Sequence, residues 1–468
     1  MLKNGFYHRL AMDVRSLQCA LRRDRRGNVA MMFALMALPL VALMGLGIDY
    51  YKGLSDKSRL DAASDAASMA AISAAQQYIS ANSQTQTDPT LTNNAEAAGV
   101  AQARKAFMAN AGTVELAAPT TPQISVTRSR GTQTLAATVT YAAQTPTSFG
   151  GIVGVNTLNI GGTSTASLTM GKYLDFYLLL DVSGSMGLPS DATGQAALAK
   201  INPDLKSDYP TGCMFACHFA GYAGFGRARS ASPPIPLRVD TVGAAVQQLL
   251  QTASATQTLA NQFRIGVYPF INDAIQAAAL SSSIDPTTSA AATIAANLGN
   301  NYLDQGTTNS GMGSGGTHFE NLWGDLSPYL KGAGDGSSAA TPQAFIFIVT
   351  DGADDNQVYT PPTGPPPALG NWTGAQPRLP SLTLCTNAKA AGYVVSVLYV
   401  KYLDIEPQDP GFDDREIVNM DQIIPSIPGQ LQSCASPGFF FTANSSADII
   451  NAMQAMFKQA LQTARLTN

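Results

Sequence analysis

The sequence predicts an α/β protein: a doubly wound, mostly parallel sheet, preceded by a membrane-crossing helix and a small α+β region. Three observations predict it. Residues 28–48 carry no charged side chain and follow a strongly basic segment. From Pro122 to Leu168 the apolar residues recur at every second position. From Gly171 onward, short apolar runs alternate with helical patterns, as in strand–helix–strand units.

The first segment, residues 1–27, concentrates Lys3, Arg9, Arg15, Arg22, Arg23, Arg25 and Arg26 against Asp13 and Asp24. The run 28–48 would extend about 30 Å as a helix, the thickness of a hydrocarbon core. Lipid-embedded helices tolerate a proline such as Pro39. Positive charge on the N-terminal flank predicts a cytoplasmic N-terminus and a single pass, with everything after Asp49 outside. A cleaved signal peptide is the competing reading. The length of the apolar run and of the basic segment favours retention.

Residues 49–170 form the next region. Tyr50 to Ala81 is alanine-rich, with Leu60, Ala63, Ala67, Ala70 and Ala71 on one stripe, and reads as a helix continuing from the span. Asn82 to Asn93 is polar and contains Pro89, a loop by composition. Ala95 to Ala111 is a second helix. Ile124, Val126, Leu135, Ala137, Val139 and Tyr141 then alternate with polar residues around Arg130-Gly131, a hairpin turn. Ile152 to Leu168 continues in the same Thr-rich style. Helices laid on a small antiparallel sheet are expected.

In residues 171–468, strands are expected at Tyr173–Leu180, Phe263–Ile271, Ile275–Leu280 (a short edge), Ala344–Thr350, Gly392–Val400 and Gly438–Thr442. Helices are expected at Leu237–Gln262, Ala290–Leu298, Phe319–Leu330 and Ser446–Arg465. Ile449, Ile450, Met453, Met456, Phe457 and Leu461 line one face of the last helix at core spacing. Insertions interrupt this pattern at about 187–238 and 354–380. Both should emerge at the rim where the strands end, and loops on a rigid scaffold are where recognition sits.

The chemistry-bearing residues lie at that rim. In Leu178-Leu179-Leu180-Asp181-Val182-Ser183-Gly184-Ser185, a carboxylate and two hydroxyls are spaced at every second residue off a strand end. Gly315-Gly316-Thr317 offers a further hydroxyl, and Phe345–Thr350 is a second apolar strand ending in Asp351. Ligand sites in open parallel sheets lie beyond the carboxyl ends of strands. Hard oxygen donors suit Mg²⁺, with Mn²⁺ or Ca²⁺ as alternatives. The bland reading is that the serines cap a turn and Asp351 caps a helix.

These residues resemble the metal-ion-dependent adhesion site (MIDAS) of von Willebrand factor A domains: D-x-S-x-S, a loop threonine, and an aspartate after the fourth strand. The resemblance implies metal ligation by Asp181, Ser183, Ser185, Thr317 and Asp351. It also implies a protein partner that offers an acidic residue to the metal. The N-terminal part, with Gly27-Asn28-Val29-Ala30, the apolar helix, Asp49-Tyr50 and the alanine-rich helix, resembles the TadE/TadG-like start of Flp (tight adherence) pilus-assembly proteins. Met32 departs from true prepilins, which carry glutamate there. TadG-type members join this start to a C-terminal von Willebrand A-like domain, implying a pilin-like layout and a pilus or secretion-apparatus partner.

Five cysteines are present. Cys213, Cys217, Cys385 and Cys434 fall on the outer side, and Cys19 on the inner. Pairing Cys213–Cys217 and Cys385–Cys434 is favoured among three connectivities. Cys213-Met-Phe-Ala-Cys217-His218 also admits a zinc or copper reading, but an oxidising compartment favours the disulfide. Net charge is −4 and charged residues make up 13% of the chain, so no basic surface for nucleic acid is evident.

Enzyme readings fit poorly. An aspartyl phosphatase would want a carboxylate where Ser183 stands, and a serine hydrolase would want a nucleophile elbow with a base. The histidines are only His8, His218 and His318. The sequence therefore predicts a non-enzymatic, membrane-anchored, metal-dependent binding module for pilus assembly or adhesion. Alternatives are a scaffold of the pilus base with a purely stabilising metal and, less favoured, a hydrolase.

Overall fold

The structure, a computed structural model, describes residues 27–83, 85–86, 88–112, 114–129, 133–204, 212–214, 223–304, 312, 316–356, 358–360, 371–373, 377–403 and 415–466. The chain divides into two compact units. One comprises residues 1–78, 92–128 and 135–168, and the other 79–91, 129–134 and 169–468.

A single helix runs from Gly27 to Asn82, with Pro39 inside it, and its residues as far as Tyr78 belong to the first unit. Its early part is long and apolar enough to cross a membrane, with a window of mean hydropathy 2.3 that is 6% buried. The apolar run and the alanine-rich segment are therefore one element, because no Gly-Pro break separates them and alanine sustains the helix. Beyond Asp49, Leu60, Ala63, Ala67 and Ala71 are buried. A second helix spans Asp88–Ala111, earlier than expected. The stretch expected to be a loop includes Asp88 and Pro89, which suit a helix's first turn and so extend it back.

Strands β1 (Gln123–Ser129), β2 (Thr134–Pro146) and β3 (Thr157–Thr169) form a three-stranded sheet in that order. The expected turn at Arg130-Gly131 lies outside the described residues. Side chains on β2 alternate between buried and half-buried, the period-2 signature of a sheet with one covered face. Buried polar contacts tie the long helix to this sheet. The Ser64 hydroxyl donates to the Val139 carbonyl at 3.1 Å, and the Tyr141 hydroxyl donates to Asp61 at 2.7 Å. Ser164 donates to Asp65 at 2.5 Å.

The second unit is built on a six-stranded sheet of order β11-β10-β7-β4-β5-β6. Its strands are β4 (Leu174–Asp181), β5 (Phe263–Phe270), β6 (Ala278–Ser281), β7 (Gln343–Thr350), β10 (Val394–Val400) and β11 (Phe440–Ala443). All neighbouring pairs are parallel except the β5–β6 edge. Every residue of β4 is buried, as expected for a central strand covered on both faces. One face packs the helices Arg238–Thr256 and Ser446–Leu466, with Phe176, Phe263, Phe345 and Phe457 in one cluster. The other packs Thr383–Ala390 and Ile427–Cys434, with Leu179, Ile346, Ile348 and Val397. Helices on both faces make the sheet doubly wound, the α/β class that the sequence predicts.

Several helices escape sequence reading: Ala192–Ile201 and Ala223–Ser230 inside the first insertion, Thr383–Ala390, Arg415–Ile423 and Ile427–Cys434. Each is short, and proline or polar residues interrupt its apolar period. In the second insertion, β8 (Val358–Thr360) and β9 (Asn371–Thr373) form a small antiparallel hairpin.

The expected Cys385–Cys434 bridge is present and joins two helices on one face of the sheet. It closes a loop with a separation of 49 residues. In the chain-entropy model such a loop stabilises by about 4 kcal/mol. Replacing both cysteines with serine should lower the unfolding free energy of this unit by about that amount. Denaturant melts of the oxidised protein and the double variant check it. Cys213 is also disulfide-bonded, which removes the thiolate metal reading for it. Cys217 and His218 lie outside the described residues.

Candidate metal site

Asp181 is the last residue of β4, and its register partner is Phe270 on β5. Asp351 directly follows β7, the strand on the other side of β4. Parallel pairing of three strands therefore brings both acids to one carboxyl-terminal edge. After β4 the chain enters a single 3-10 turn, Gly184–Gly187, which directs Ser183 and Ser185 back over Asp181.

The resulting network is tight. Ser183 donates to one Asp181 oxygen through both its backbone N–H, at 3.0 Å, and its hydroxyl, at 2.7 Å. The Ser183 and Ser185 hydroxyls lie 3.2 Å apart. The other Asp181 oxygen accepts from the Thr350 hydroxyl at 2.7 Å. Both acids are fully buried, whereas Ser185 is half-buried. Four of the five residues singled out from sequence, Asp181, Ser183, Ser185 and Asp351, thus form one cluster.

Thr317 is held at the same edge by its backbone. His318 N–H donates to the Ile271 carbonyl, just beyond β5, at 3.0 Å, and Asp355 N–H donates to the Thr317 carbonyl at 2.8 Å. Gly316 allows this approach, because a β-carbon there would come within 2.0 Å of the Asp355 carbonyl oxygen. Among the described residues, no hydrogen bond joins the Thr317 hydroxyl to either acid. Gly315 lies outside the described residues.

A second cluster secures this loop. Arg378 pairs with Glu320 at 3.0 Å and with the buried Asp354 at 3.3 Å, and His318 stands 3.4 Å from Glu320. Burial and the neighbouring Glu320 charge push Asp354 up to about 7.

Arg238 is the residue that sequence reading missed. It opens the helix Arg238–Thr256, is fully buried, and donates to Asp351 at 2.9 Å. It also donates to the Ser185 carbonyl at 3.2 Å and the Lys401 carbonyl at 3.0 Å. The two ends of the first insertion meet beside it, since Pro189 bridges Leu237 and Arg238 N–H donates to the Leu188 carbonyl. The available signal was a lone arginine between apolar Leu237 and Val239 at a helix start. Thr350 was equally missed, hidden as the polar end of an apolar strand.

Asp351 uses one oxygen for Arg238. Its other oxygen is buried and has no hydrogen-bond partner among the described residues. The Ser185 hydroxyl and the Ala353 N–H lie near enough to favour its charge without meeting that oxygen in bonding geometry. Burial nevertheless pushes Asp351 above the usual carboxylate range. Burial and then the Asp351 charge push Asp181 up to about 7, against the donors Ser183 and Thr350. Two buried acids whose proton affinity burial raises, one with an orphaned oxygen and both beside serine hydroxyls, fit a small divalent cation. Among the described residues, no group of three or more His, Cys, Asp or Glu side chains could hold a metal. Any metal here would therefore depend on hydroxyl ligands.

Residues 27–77 match the family model described as putative Flp pilus-assembly TadE/G-like. These residues are similar to that family's sequences. The match takes in the apolar span and most of the alanine-rich helix. No curated protein matches the chain. Solved structures similar to it include the pilus adhesin SpaC from Lactobacillus rhamnosus GG, at 13% identity and TM-score 0.34, covering 74% of this chain and 35% of that one. The PilB minor pilin from Streptococcus sanguinis is similar at 11% identity and TM-score 0.33, with coverages of 74% and 78%. The vWF domain of the type V pili tip protein Mfa5 from Porphyromonas gingivalis is similar at 11% identity and TM-score 0.32, with coverages of 63% and 95%. The chain thus spans about a third of SpaC, and superpositions this loose carry no functional argument. The fold assignment rests on the sheet order given above.

Proposed function

We propose that this protein is a membrane-anchored, metal-dependent protein-binding module acting in Flp/Tad-type pilus assembly or surface adhesion. One observation carries the reading: two fully buried strand-end carboxylates converge with the hydroxyls of Ser183 and half-buried Ser185, and one Asp351 oxygen has no hydrogen-bond partner among the described residues. Asp181, Ser183 and Ser185 would hold Mg²⁺, or else Mn²⁺ or Ca²⁺. Asp351 would act directly or through water, and Thr317 would be the hydroxyl that engages when a partner binds. The bound ion would supply a Lewis-acid position for a partner's carboxylate. The TadE/G-like segment supports a pilus or secretion-apparatus component as partner and an inner-membrane location with the second unit periplasmic. The Ser183 hydroxyl donates to Asp181 and lies beside the Ser185 hydroxyl, an arrangement of oxygen donors that suits an ion, and we propose a non-enzymatic role.

The full chain, captured from membranes with its partners in magnesium and again in chelator, tests this. Partner capture that requires the ion is expected, and capture unchanged by chelator removes the mechanism. A second reading has its own support. Arg238 already neutralises one Asp351 oxygen, which favours a scaffold role in which the ion only completes the fold. In that case magnesium should raise the melting temperature while leaving capture unaltered.

The pH dependence follows from the two raised acids. Asp181 titrates near 7 when folded, against 3.8 for an ordinary aspartate. Its stabilising contribution is therefore fully present below 3.8 and is lost as pH climbs to about 7. Without metal the second unit should grow less stable over that window. Metal must displace the proton, so apparent affinity should weaken by about tenfold per pH unit below 7 for each proton displaced. Thermal melts across the window, with and without magnesium, should show a metal-induced shift that grows with pH.

A further inference from the structure

We propose that the loop Thr147–Asn156 is a second membrane contact, seated in the lipid interface beside the exit of the apolar helix. The inference rests on the reading of that helix as a membrane span.

The loop carries Phe149, Ile152, Val153 and Val155, which are 39%, 65%, 50% and 40% exposed. Four apolar side chains on one short loop are an unusual surface to present to water. Their position says what covers them. Asp49, which ends the uncharged run, accepts hydrogen bonds from the backbone N–H groups of Ser148, Phe149 and Gly150, at 2.7, 2.9 and 2.7 Å. One helical turn earlier, Phe149 packs against Gly45, where an added β-carbon would come within 2.5 Å of its own. The loop is therefore fixed at the end of the span remote from the basic segment. On the same stretch of helix Leu43, Met44 and Ile48 are also exposed apolar side chains.

The backbone is equipped for an apolar interface. A 3-10 turn at Gly150–Val153 and a left-handed Gly154 fold the loop onto itself. Thr147 N–H donates to the Asn156 carbonyl, and Val155 N–H to the Gly150 carbonyl, at 3.0 and 2.9 Å. The Thr147 hydroxyl satisfies the Val155 carbonyl at 2.7 Å. Unpaired backbone groups would forbid entry into lipid, and these pairings remove much of that cost. Tyr50 and Tyr51, 70% and 74% exposed on the adjoining turn, are the aromatic residues expected at a headgroup boundary. Asp49 is 3% exposed and covered by the loop's own N–H groups, and Lys52, the next charge along the helix, pairs with Glu115 at 3.4 Å.

Purified full chain in phosphatidylcholine–phosphatidylglycerol vesicles tests the proposal with an environment-sensitive fluorophore. In a Cys19→Ser background with disulfides left oxidised, single labels are placed at Ile152→Cys, Val153→Cys, Leu38→Cys and Asn159→Cys. Leu38 reports the span, and Asn159 is an exposed position on β3. Labels at 152 and 153 should emit to the blue of the 159 label. They should be quenched by nitroxide lipids and be several-fold less accessible to aqueous iodide. Iodide quenching at 152 and 153 equal to that at 159, with 38 still protected, would overturn the loop contact and leave the anchor standing. Water exposure at 38 as well would overturn both. No protein other than this chain is present, so cover by a different protein would register as water exposure.

Discussion

An Asp181→Ala variant should lose magnesium-dependent stabilisation and ion-dependent partner capture, with apparent metal affinity falling by at least about a hundredfold. Asp181 sits under the two serine hydroxyls and beside Asp351, so its removal takes away both a donor oxygen and half of the negative charge that attracts the ion. The metal-free protein should respond differently. Alanine strands the Ser183 and Thr350 hydroxyls, each of which donates to Asp181. A stranded buried donor costs about 1–3 kcal/mol. Asp181→Asn keeps an acceptor oxygen while removing the charge repelled by Asp351. It should therefore melt above the alanine variant, and at neutral pH above the metal-free parent, yet show the same loss of magnesium response. Differential scanning calorimetry of the three proteins, each with and without magnesium, reads these differences. A magnesium shift surviving in Asp181→Asn would move the ion elsewhere.

Arg238→Ala should produce the largest destabilisation, about 3–5 kcal/mol, because it leaves the buried Asp351 without its cation. The guanidinium also holds the Ser185 and Lys401 carbonyls, so the turn that carries the serines should loosen with it. Arg238→Met restores most of the volume but not the charge, and should remain destabilised. Combining Arg238→Met with Asp351→Asn should recover much of the loss, since an uncharged pair no longer needs compensation. The single Arg238→Met variant should gain more stability from magnesium than the parent does, with the ion taking over part of the neutralisation. A gain no larger than the parent's would separate the arginine from the metal position. Urea unfolding with and without magnesium supplies both comparisons.

The parts of the fold visible in the sequence were those whose pattern is set by local physics. The uncharged run to Ile48 and the alanine-rich continuation are one helix, because composition alone favours helix there. The central strands were legible since burial on both faces demands unbroken apolar runs, as in Leu178-Leu179-Leu180. Asp181, Ser183 and Ser185 were legible because their spacing is local, and Asp351 because it ends a second such run. Arg238 was not. Its role depends on the first insertion returning to its starting point, through Pro189 and Leu237, and sequence spacing cannot express that return. The helices Arg415–Ile423 and Ile427–Cys434 were hidden for another reason: Pro425 and Pro428 interrupt their period, while the tertiary contacts of Ile427 and Leu431 sustain it. The helix start at Asp88 was misplaced because composition outweighed capping chemistry in the reading of a polar stretch.

Direct titration of the full chain in detergent with magnesium, followed by calorimetry at neutral pH and repeated on Asp181→Ala, bears most closely on whether the strand-end oxygens hold an ion. The account predicts one saturable magnesium site in the parent and none in the variant. No measurable binding by the parent, or equal binding by both proteins, would contradict it.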